Sequence, residues 1–534
     1  MQGVERMVVT KEAAVGRRLA SGSLLRGTNL VATVLVSFFL TPFVIHHLGD
    51  RLNGLWVLVG TFVGYYGLLD LGLSTAVSRH VAGALGRSDQ GECERLFSTA
   101  LQLYSGVAAI ALFVTFVAAA LAGAWIASPQ DASLAWRLIL LLGINMALSL
   151  PLRACGGLLL AEYRFDVLAA TELMCLLLRS CLVVCVLFMG YSVVALAWVT
   201  LLSGLPRIGA YVFFIRRHFP WLRLHREPWI GSTTKALFSY SVFSFISQIA
   251  DKLRFSVDSF VITAYVSLSA VTHFSIAGSL VMYFIDIMTA LLGVFHPLFS
   301  RLEGAGDYRA LKRAFLFGTK ISVSSSSFVG FGLIAWGLPF IQRWMGPSYV
   351  DAYPCLFVLA LGYTVALWQV PSVNLLFAIS KHKFYALANS VEGLANLALS
   401  LWLVGRFGIL GVALGTFIPM FVVKSIVQPL YVCRVSKVPL GEYAREVLRS
   451  IGVVAVGLVI PALISLRFAV ARYSSLVLVG MVCLACYSVV IWHFQFTKDE
   501  IEVLKQALLP SRVRGLNRAT AAQATKVGTG DVSS

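Results

Sequence analysis

The sequence predicts an all-α, polytopic membrane protein, and three observations carry that expectation. Of 534 residues, 58% are hydrophobic and only 13% charged, and the mean hydropathy is +0.83. A soluble globular chain carries roughly 45–50% apolar and about 25% charged residues. Apolar runs of about 20 residues, the length that crosses a bilayer core, recur along the whole chain. The basic residues behind the net charge of +18 collect in alternate segments between those runs. This pattern excludes a cytosolic enzyme, a disordered chain and a nucleic-acid binder. The surplus positive charge follows topology and meets anionic lipid headgroups.

Between a cytoplasmic head at 1–23 and a tail at 497–534 there is room for about 14 helices. The expected spans are 24–46, 54–80, 97–122, 136–160, 167–189, 191–215, 236–265, 270–300, 314–336, 353–379, 384–404, 408–430, 448–468 and 473–496. The first is too long for the apolar region of a signal peptide and lacks a small-x-small cleavage site, so it is expected to stay uncleaved. Helices 1–6 (24–216) make an N-lobe, and a basic linker at 217–235 leads to helices 7–12 (236–430), the C-lobe. Helices 13–14 occupy 431–496, so a 12-span core with two appended helices describes the same arrangement. With the N-terminus inside, Arg17, Arg18, Arg26, Arg87, Arg95, Arg216, Arg217, Arg223, Arg226, Arg301, Lys312, Arg313, Lys381, Lys383, Arg434 and Lys437 share the cytoplasmic side. An odd helix count scrambles that asymmetry, which places both termini in the cytoplasm. The tail opens with KDEIEVLKQALL, where Ile501, Leu504 and Leu508 share a face suited to the membrane surface. A low-complexity Ala/Thr/Gly-rich stretch follows.

Sliding the chain by 218 residues matches Gly60 with Gly278, Val63 with Val281, Tyr65 with Tyr283 and Leu73 with Leu291. In the following polar loop Gly86, Asp89, Arg95 and Phe97 meet Gly304, Asp307, Arg313 and Phe315. Six helices lie between the copies, so the halves share one orientation. Parallel repeats of this kind form transporters that hold substrate between pseudo-symmetric halves and rock to alternate access.

The sequence shows no Walker A motif, dinucleotide fingerprint or metal-ligand cluster, and no outer loop is long enough to carry an acceptor site. Neither catalytic residues nor cofactors nor a metal are expected. His46, His47 and Asp50 read as a polar interfacial turn. Cys483-x-x-Cys486 lies inside an apolar span and reads as packing, with no disulfide expected.

Ionisable residues within spans are costly unless they face a cavity or a partner, so each is a functional candidate. The seventh span carries Asp251, Arg254 and Asp258 at i, i+3 and i+7, a spacing that lets Arg254 bridge both acids as a self-neutralised triad on one face, while Lys252 lies on another. Arg179 shares a face with Glu172, Arg207 follows Pro206, and Lys320 and Lys424 have no acid nearby in sequence. Lone acids are Asp70, Asp286 and Glu392. Fixed cations suit a polyanionic headgroup, and Arg grips phosphate bidentately. Ion-driven transport needs an acid whose protonation or coordination changes between states. The cationic candidates are Arg179, Lys252, Arg254, Lys320 and Lys424; the ion-coupling candidates are Asp70, Asp258, Asp286 and Glu392.

Three strings bring a family into view. The segment LTPFVIHHLGDRLNGLWVLVGTFVGYYGLLDLGLSTAVSRHVA resembles the first hairpin of bacterial oligosaccharide flippases of the multidrug/oligosaccharidyl-lipid/polysaccharide exporter superfamily. So do Asp258 with FVITAY and HFSIAG, and NLALSLWLVGRFGILGVALGTFIPMFV with Asn396, Gly408, Gly411, Ala413, Gly415, Thr416 and Pro419. The resemblance covers roughly residues 20–430. It implies 12 to 14 helices in two lobes and a rocker-switch motion linked to a proton or sodium gradient. The implied cargo is an undecaprenyl-diphosphate-linked oligosaccharide, moved to the outer leaflet of the bacterial plasma membrane for O-antigen, capsule or exopolysaccharide assembly. Polymerase and chain-length proteins are implied partners. The rivals are a cation-coupled multidrug antiporter of the same superfamily and a membrane polysaccharide polymerase or ligase. On this reading Arg254→Ala should impair flipping more than Arg254→Lys, with insertion unchanged. Equal losses with poor expression, measured by transport assay and membrane yield, would mark a structural triad instead.

Overall fold

The computed structural model describes residues 2–70, 73–87, 89–126, 128–162, 164–224, 257–381, 383–467, 473–497 and 500. Every regular element among them is helical. In order the α-helices of eight residues or more are α1 (Gln2–Gly64), α2 (Leu73–Gly86), α3 (Gln90–Ala120), α4 (Pro129–Ala161), α5 (Phe165–Phe188) and α6 (Val193–His218). After residue 257 come α7 (Asp258–Tyr265), α8 (Leu268–Leu292), α9 (Phe295–Gly304), α10 (Tyr308–Trp344), α11 (Ala352–Trp368) and α12 (Val370–Ala378). The last are α13 (Lys383–Phe407), α14 (Ile409–Val422), α15 (Gln428–Ser436), α16 (Leu440–Arg467) and α17 (Tyr473–Phe494).

Twelve stretches among the described residues are long and apolar enough to cross a membrane. The first two expected spans run together as one stretch, Gly27–Asp70. Helical geometry is interrupted there only at Gly49, whose φ of +73° is one that glycine adopts without a Cβ penalty. The expected seventh span lies mostly outside the described residues, and α7 is its end. Lys252 and Arg254 fall in that gap, as do most of the linker and the tail. The expected helix 408–430 is instead three pieces: α14, a π-helical turn at Val423–Val427, and α15. Pro419 removes a ladder donor just ahead of the π turn, where a wider turn re-pairs the backbone.

The chain forms two compact units. The first comprises residues 1–283, 340–359 and 383–423; the second comprises 284–339, 360–382 and 424–534. In the first, α4 is the hub, packing against α1, α2, α3 and α6. Its Ala135, Leu138, Leu142, Ala147, Leu150, Ala154 and Leu158 are buried at three-to-five-residue spacing, whereas Trp136 and Leu148 are exposed. Asp70, in a tight 3₁₀ turn after α1, ties three helices together. Its carboxylate accepts from Tyr104 Oη on α3 at 2.7 Å and from Ser74 Oγ on α2 at 3.0 Å, and pairs with Arg153 of α4 at 3.0 Å. Helices α13 and α14 approach so closely that a Cβ on Gly411 or Gly415 would collide with Leu403 O or Ser400 Oγ. That contact explains the glycines in the GxxGVALGT string.

The second unit is organised around α10. Its serine run meets neighbours through hydrogen bonds: Ser322 Oγ donates to Leu367 O (2.6 Å), Trp368 Nε1 to Ser327 Oγ (3.0 Å), and Tyr487 Oη of α17 to Ser324 O (2.9 Å). Lys312 pairs with Glu442 of α16, and Lys320 lies between Glu446 and Glu500.

The repeated polar loop has a physical basis. Asp89 accepts from Glu92 N (2.8 Å) and caps α3; Asp307 accepts from Ala310 N (2.9 Å) and caps α10. Phe97 and Phe315, eight residues after each cap, are both buried. The same start signal and the same anchor recur in both halves of the chain.

Asp70→Ala leaves a buried phenol and a guanidinium without their acceptor, so it should cost about 3 kcal/mol or more. Tyr104→Phe removes one hydrogen bond and should cost about 1 kcal/mol. Thermal unfolding in detergent followed by tryptophan fluorescence ranks the two, and equal shifts would refute the Asp70 tie.

Candidate functional site

Helices α1, α4, α5 and α6 of the first unit enclose a cavity of about 400 Å³. Apolar spans would fill such a space with Leu and Val; here the walls carry Asn29 and Thr33 from α1, Asn145 and Ser149 from α4, and Thr200 and Ser203 from α6. Glu172 and Arg179 project from α5, and Arg207 from α6. The sequence places Glu172 and Arg179 on one face, yet the carboxylate accepts from Asn29 Nδ2 at 2.9 Å instead. Among the described residues no carboxylate pairs with Arg179. Arg207 Nε is buried without a hydrogen bond. Two guanidiniums therefore face a cavity with their donors unspent, set among amides and hydroxyls. Such a lining suits an oxyanion flanked by polyhydroxylated groups.

A second polar cluster sits where α7, α13 and α14 meet. Asp258 is 8% exposed, and its Oδ2 accepts from Thr416 Oγ1 at 3.2 Å. Thr416 Oγ1 also lies 3.2 Å from Asn396 Oδ1 and 3.3 Å from Val412 O. Ser400 Oγ donates to Asn396 Oδ1 at 3.0 Å. Glu392, one turn before Asn396 on α13, is buried as well. Carboxylate, amide, hydroxyl and backbone oxygens thus converge in an apolar setting, a donor set suited to a hard monovalent cation or a proton.

The other sequence candidates fall in different surroundings. Asp70 is engaged by Tyr104, Ser74 and Arg153. Lys320 is buried, 3.4 Å from Glu446 and 3.1 Å from Glu500, acids 126 and 180 residues away in sequence. Lys424 is buried in the π turn. Asp286 is exposed on α8. Lys252 and Arg254 lie outside the described residues. Sequence reasoning passed over Asn29, Asn145 and Arg153 as site residues and read Asn396 and Thr416 only as parts of a string. The available signal was a polar side chain inside an apolar span, which applies to neutral residues as well as charged ones.

A family profile described as "Polysaccharide biosynthesis protein" matches residues 58–354. The chain belongs to that family. This family member is 22% identical over 495 residues to the "Uncharacterized membrane protein EpsK" of Bacillus subtilis (strain 168), covering 89% of this chain and 95% of the relative. It is 24% identical over 408 residues to the "Putative O-antigen transporter" of Shigella flexneri, covering 73% and 92%. Its fold is similar to that of the lipid II flippase MurJ in an inward closed conformation, with a TM-score of 0.66 at 15% identity, covering 88% of this chain and 98% of that one. An inward-facing multidrug resistance MATE transporter of the MOP superfamily gives a TM-score of 0.65 at 15% identity, covering 79% and 99%. The family member is thus a multi-pass membrane protein whose fold is that of MOP-superfamily transporters.

Filling the cavity tests its role in binding. Gly204→Val sets a Cβ 3.1 Å from Asn145 Oδ1, so that amide must shift and the cavity narrows; transport should fall at least tenfold and the unfolding midpoint by no more than a few degrees. A transport assay paired with thermal unfolding checks this, and an unimpaired variant would remove the cavity from the pathway.

Proposed function

We propose that the protein flips undecaprenyl-diphosphate-linked oligosaccharide units from the inner to the outer leaflet of the bacterial plasma membrane for surface polysaccharide assembly. The single observation that carries this reading is the pair of guanidiniums, Arg179 and Arg207, facing a polar cavity with no carboxylate among the described residues paired to either. In that role they hold the diphosphate, the cavity's amides and hydroxyls meet the sugars, and the prenyl tail trails in lipid. Lys252, Arg254 and Lys424 are retained as further cationic candidates, and Lys320 is better explained as the partner of Glu446 and Glu500. Both termini face the cytoplasm, on the side where the basic loops collect. The two halves alternate access, and polymerase and chain-length proteins act on the delivered unit.

Coupling to an ion gradient is assigned to Asp258 with Asn396, Thr416 and the Val412 carbonyl, and Glu392 lies within a turn of that set. Asp70 is less suited, because Arg153 already neutralises it. Asp286 is held as an alternative. A drug/cation antiporter shares the fold, but cationic cargo calls for unpaired acids in the cavity, and among the described residues the one carboxylate lining it, Glu172, is bound by Asn29.

Deleting the protein from its source organism should cause a complete lipid-linked repeat unit to accumulate, shielded from an impermeant reagent applied outside. The sugars of that unit identify the cargo. Units accumulating in exposed form would instead place the missing step at polymerisation or ligation. In proteoliposomes, Asp258→Asn should abolish any stimulation by sodium or by a proton gradient and leave downhill flipping measurable. Unchanged ion stimulation would move coupling elsewhere.

A further inference from the structure

The cavity holds one side chain whose charge opposes its proposed cargo. Glu172 projects into it from α5, on the same lining as Arg179 and Arg207, and a diphosphate is itself anionic. A carboxylate in that place weakens the hold on the diphosphate, since like charges brought together cost several kcal/mol. Nor is it used to neutralise the cations: among the described residues, neither Arg179 nor Arg207 pairs with it. Its Oε2 accepts from Asn29 Nδ2 of α1 at 2.9 Å, and no further donor to the carboxylate occurs among the described residues. Asn29 is a neutral amide, so it fixes the carboxylate in place and leaves its charge and its other oxygen available.

The helix sets the distance between this acid and the cations. Glu172 and Arg179 are seven residues apart on one face of α5, roughly 10 Å along the axis at about 1.5 Å per residue. A diphosphate bonded to one sugar ring spans a similar length. In the proposed orientation α5 (Phe165–Phe188) begins at the cytoplasmic end, which puts Glu172 on the cytoplasmic side of Arg179. A lipid-linked sugar approaches with its diphosphate at the membrane and its sugars in the cytoplasm. With the diphosphate on Arg179 and Arg207, the sugar bonded to it therefore falls beside Glu172. The cavity, of about 400 Å³, is near the low end of ligand sites, about 300–1,000 Å³. It grips the part of the cargo next to the lipid.

What a carboxylate does for a sugar is specific. When ionised it is an acceptor only, and its two oxygens take hydrogen bonds from neighbouring ring hydroxyls. Such charge-assisted bonds are roughly twice as strong as neutral ones. To a second carboxylate it offers no donor and a repulsion, the element that excludes a wrong ligand. We propose that Glu172 is a specificity-determining residue, accepting from the hydroxyls of the diphosphate-linked sugar so that the cavity takes a neutral sugar there and rejects a uronic acid. Asn29 is the positioning residue that aims it. The two arginines alone favour an acidic sugar, and Glu172 reverses that preference. This inference rests on the proposed cargo and adds the class of sugar accepted beside the diphosphate.

The test is calorimetric binding of three short-chain probes to the full chain in lipid nanodiscs: farnesyl diphosphate, and farnesyl diphosphate bearing glucose or glucuronic acid. The parent should bind the glucose probe at least tenfold more tightly than the glucuronic acid probe. Glu172→Gln keeps the shape and removes the charge, so that ratio should shrink to threefold or less, and farnesyl diphosphate itself should bind more tightly. Arg179→Ala should weaken all three probes by similar factors and leave the ratio in place. A parent that binds both sugar probes equally, or a Glu172→Gln variant that keeps the parent's ratio, would overturn the proposal. If Glu172→Gln fails to insert, Glu172→Asp replaces it. That variant should still reject the glucuronic acid probe and lose at least threefold in affinity for the glucose probe; unchanged affinity for both would also overturn the proposal. A parent that binds none of the probes, farnesyl diphosphate included, would remove the cargo reading together with this inference. Binding of farnesyl diphosphate without discrimination between the sugars would remove the inference alone.

Discussion

The constraint on which the structure depends is the cost of leaving a charge unpaired where water is scarce. Several kcal/mol separate a paired from an unpaired ion in such surroundings. That cost sorts the intramembrane charges into two groups. Asp70 with Arg153, and Lys320 with Glu446 and Glu500, are satisfied by the protein and tie helices together. Arg179 and Arg207 are not satisfied by any carboxylate among the described residues, and both face a cavity. The same reasoning that makes the first group structural assigns the second group, under the proposed function, to the anion of the cargo.

Helix packing is arranged around these ions by residues with little or no charge. Asp89 and Asp307 begin equivalent helices in the two halves, and a buried phenylalanine follows each by eight residues. Glycines at 411 and 415 let α13 and α14 touch closely enough to bring Asn396 and Thr416 beside Asp258. Serines along α10 serve the second unit similarly: Ser322 donates to the Leu367 carbonyl of a neighbouring helix and Ser326 to the Ser322 carbonyl of its own, without adding bulk. Close approach and polar satisfaction are therefore linked: small residues bring backbones together, and the proximity then aligns the oxygens.

The cation-type oxygen cluster and a cluster around His273 differ in setting. Asp258 is held among neutral oxygens with its helix neighbours packed around it. His273 sits between two acids, Asp50 and Asp351, at the ends of spans, with Asp351 well exposed. The first setting suits one small ion under the proposed function, whereas the second joins segments distant in sequence.

Sequence by itself determined the class of this protein, because hydropathy and the alternation of basic loops depend only on what each segment needs from a bilayer. It also determined the repeat, whose Asp-x5-Arg-x-Phe agreement reflects a local start signal, and the family strings around Asp70, Asp258 and Thr416. It did not determine the partner of any buried charge. Glu172 and Arg179 share a helical face, yet the tertiary structure places Glu172 against Asn29. Lys320 has no acid nearby in sequence and two in space, and the Asp50–His273–Asp351 contact joins segments more than 200 and 70 residues apart, from 273 − 50 and 351 − 273. Periodicity describes one helix at a time, whereas the pairing of charges depends on which helices meet and at what depth. Only the packed structure decides that.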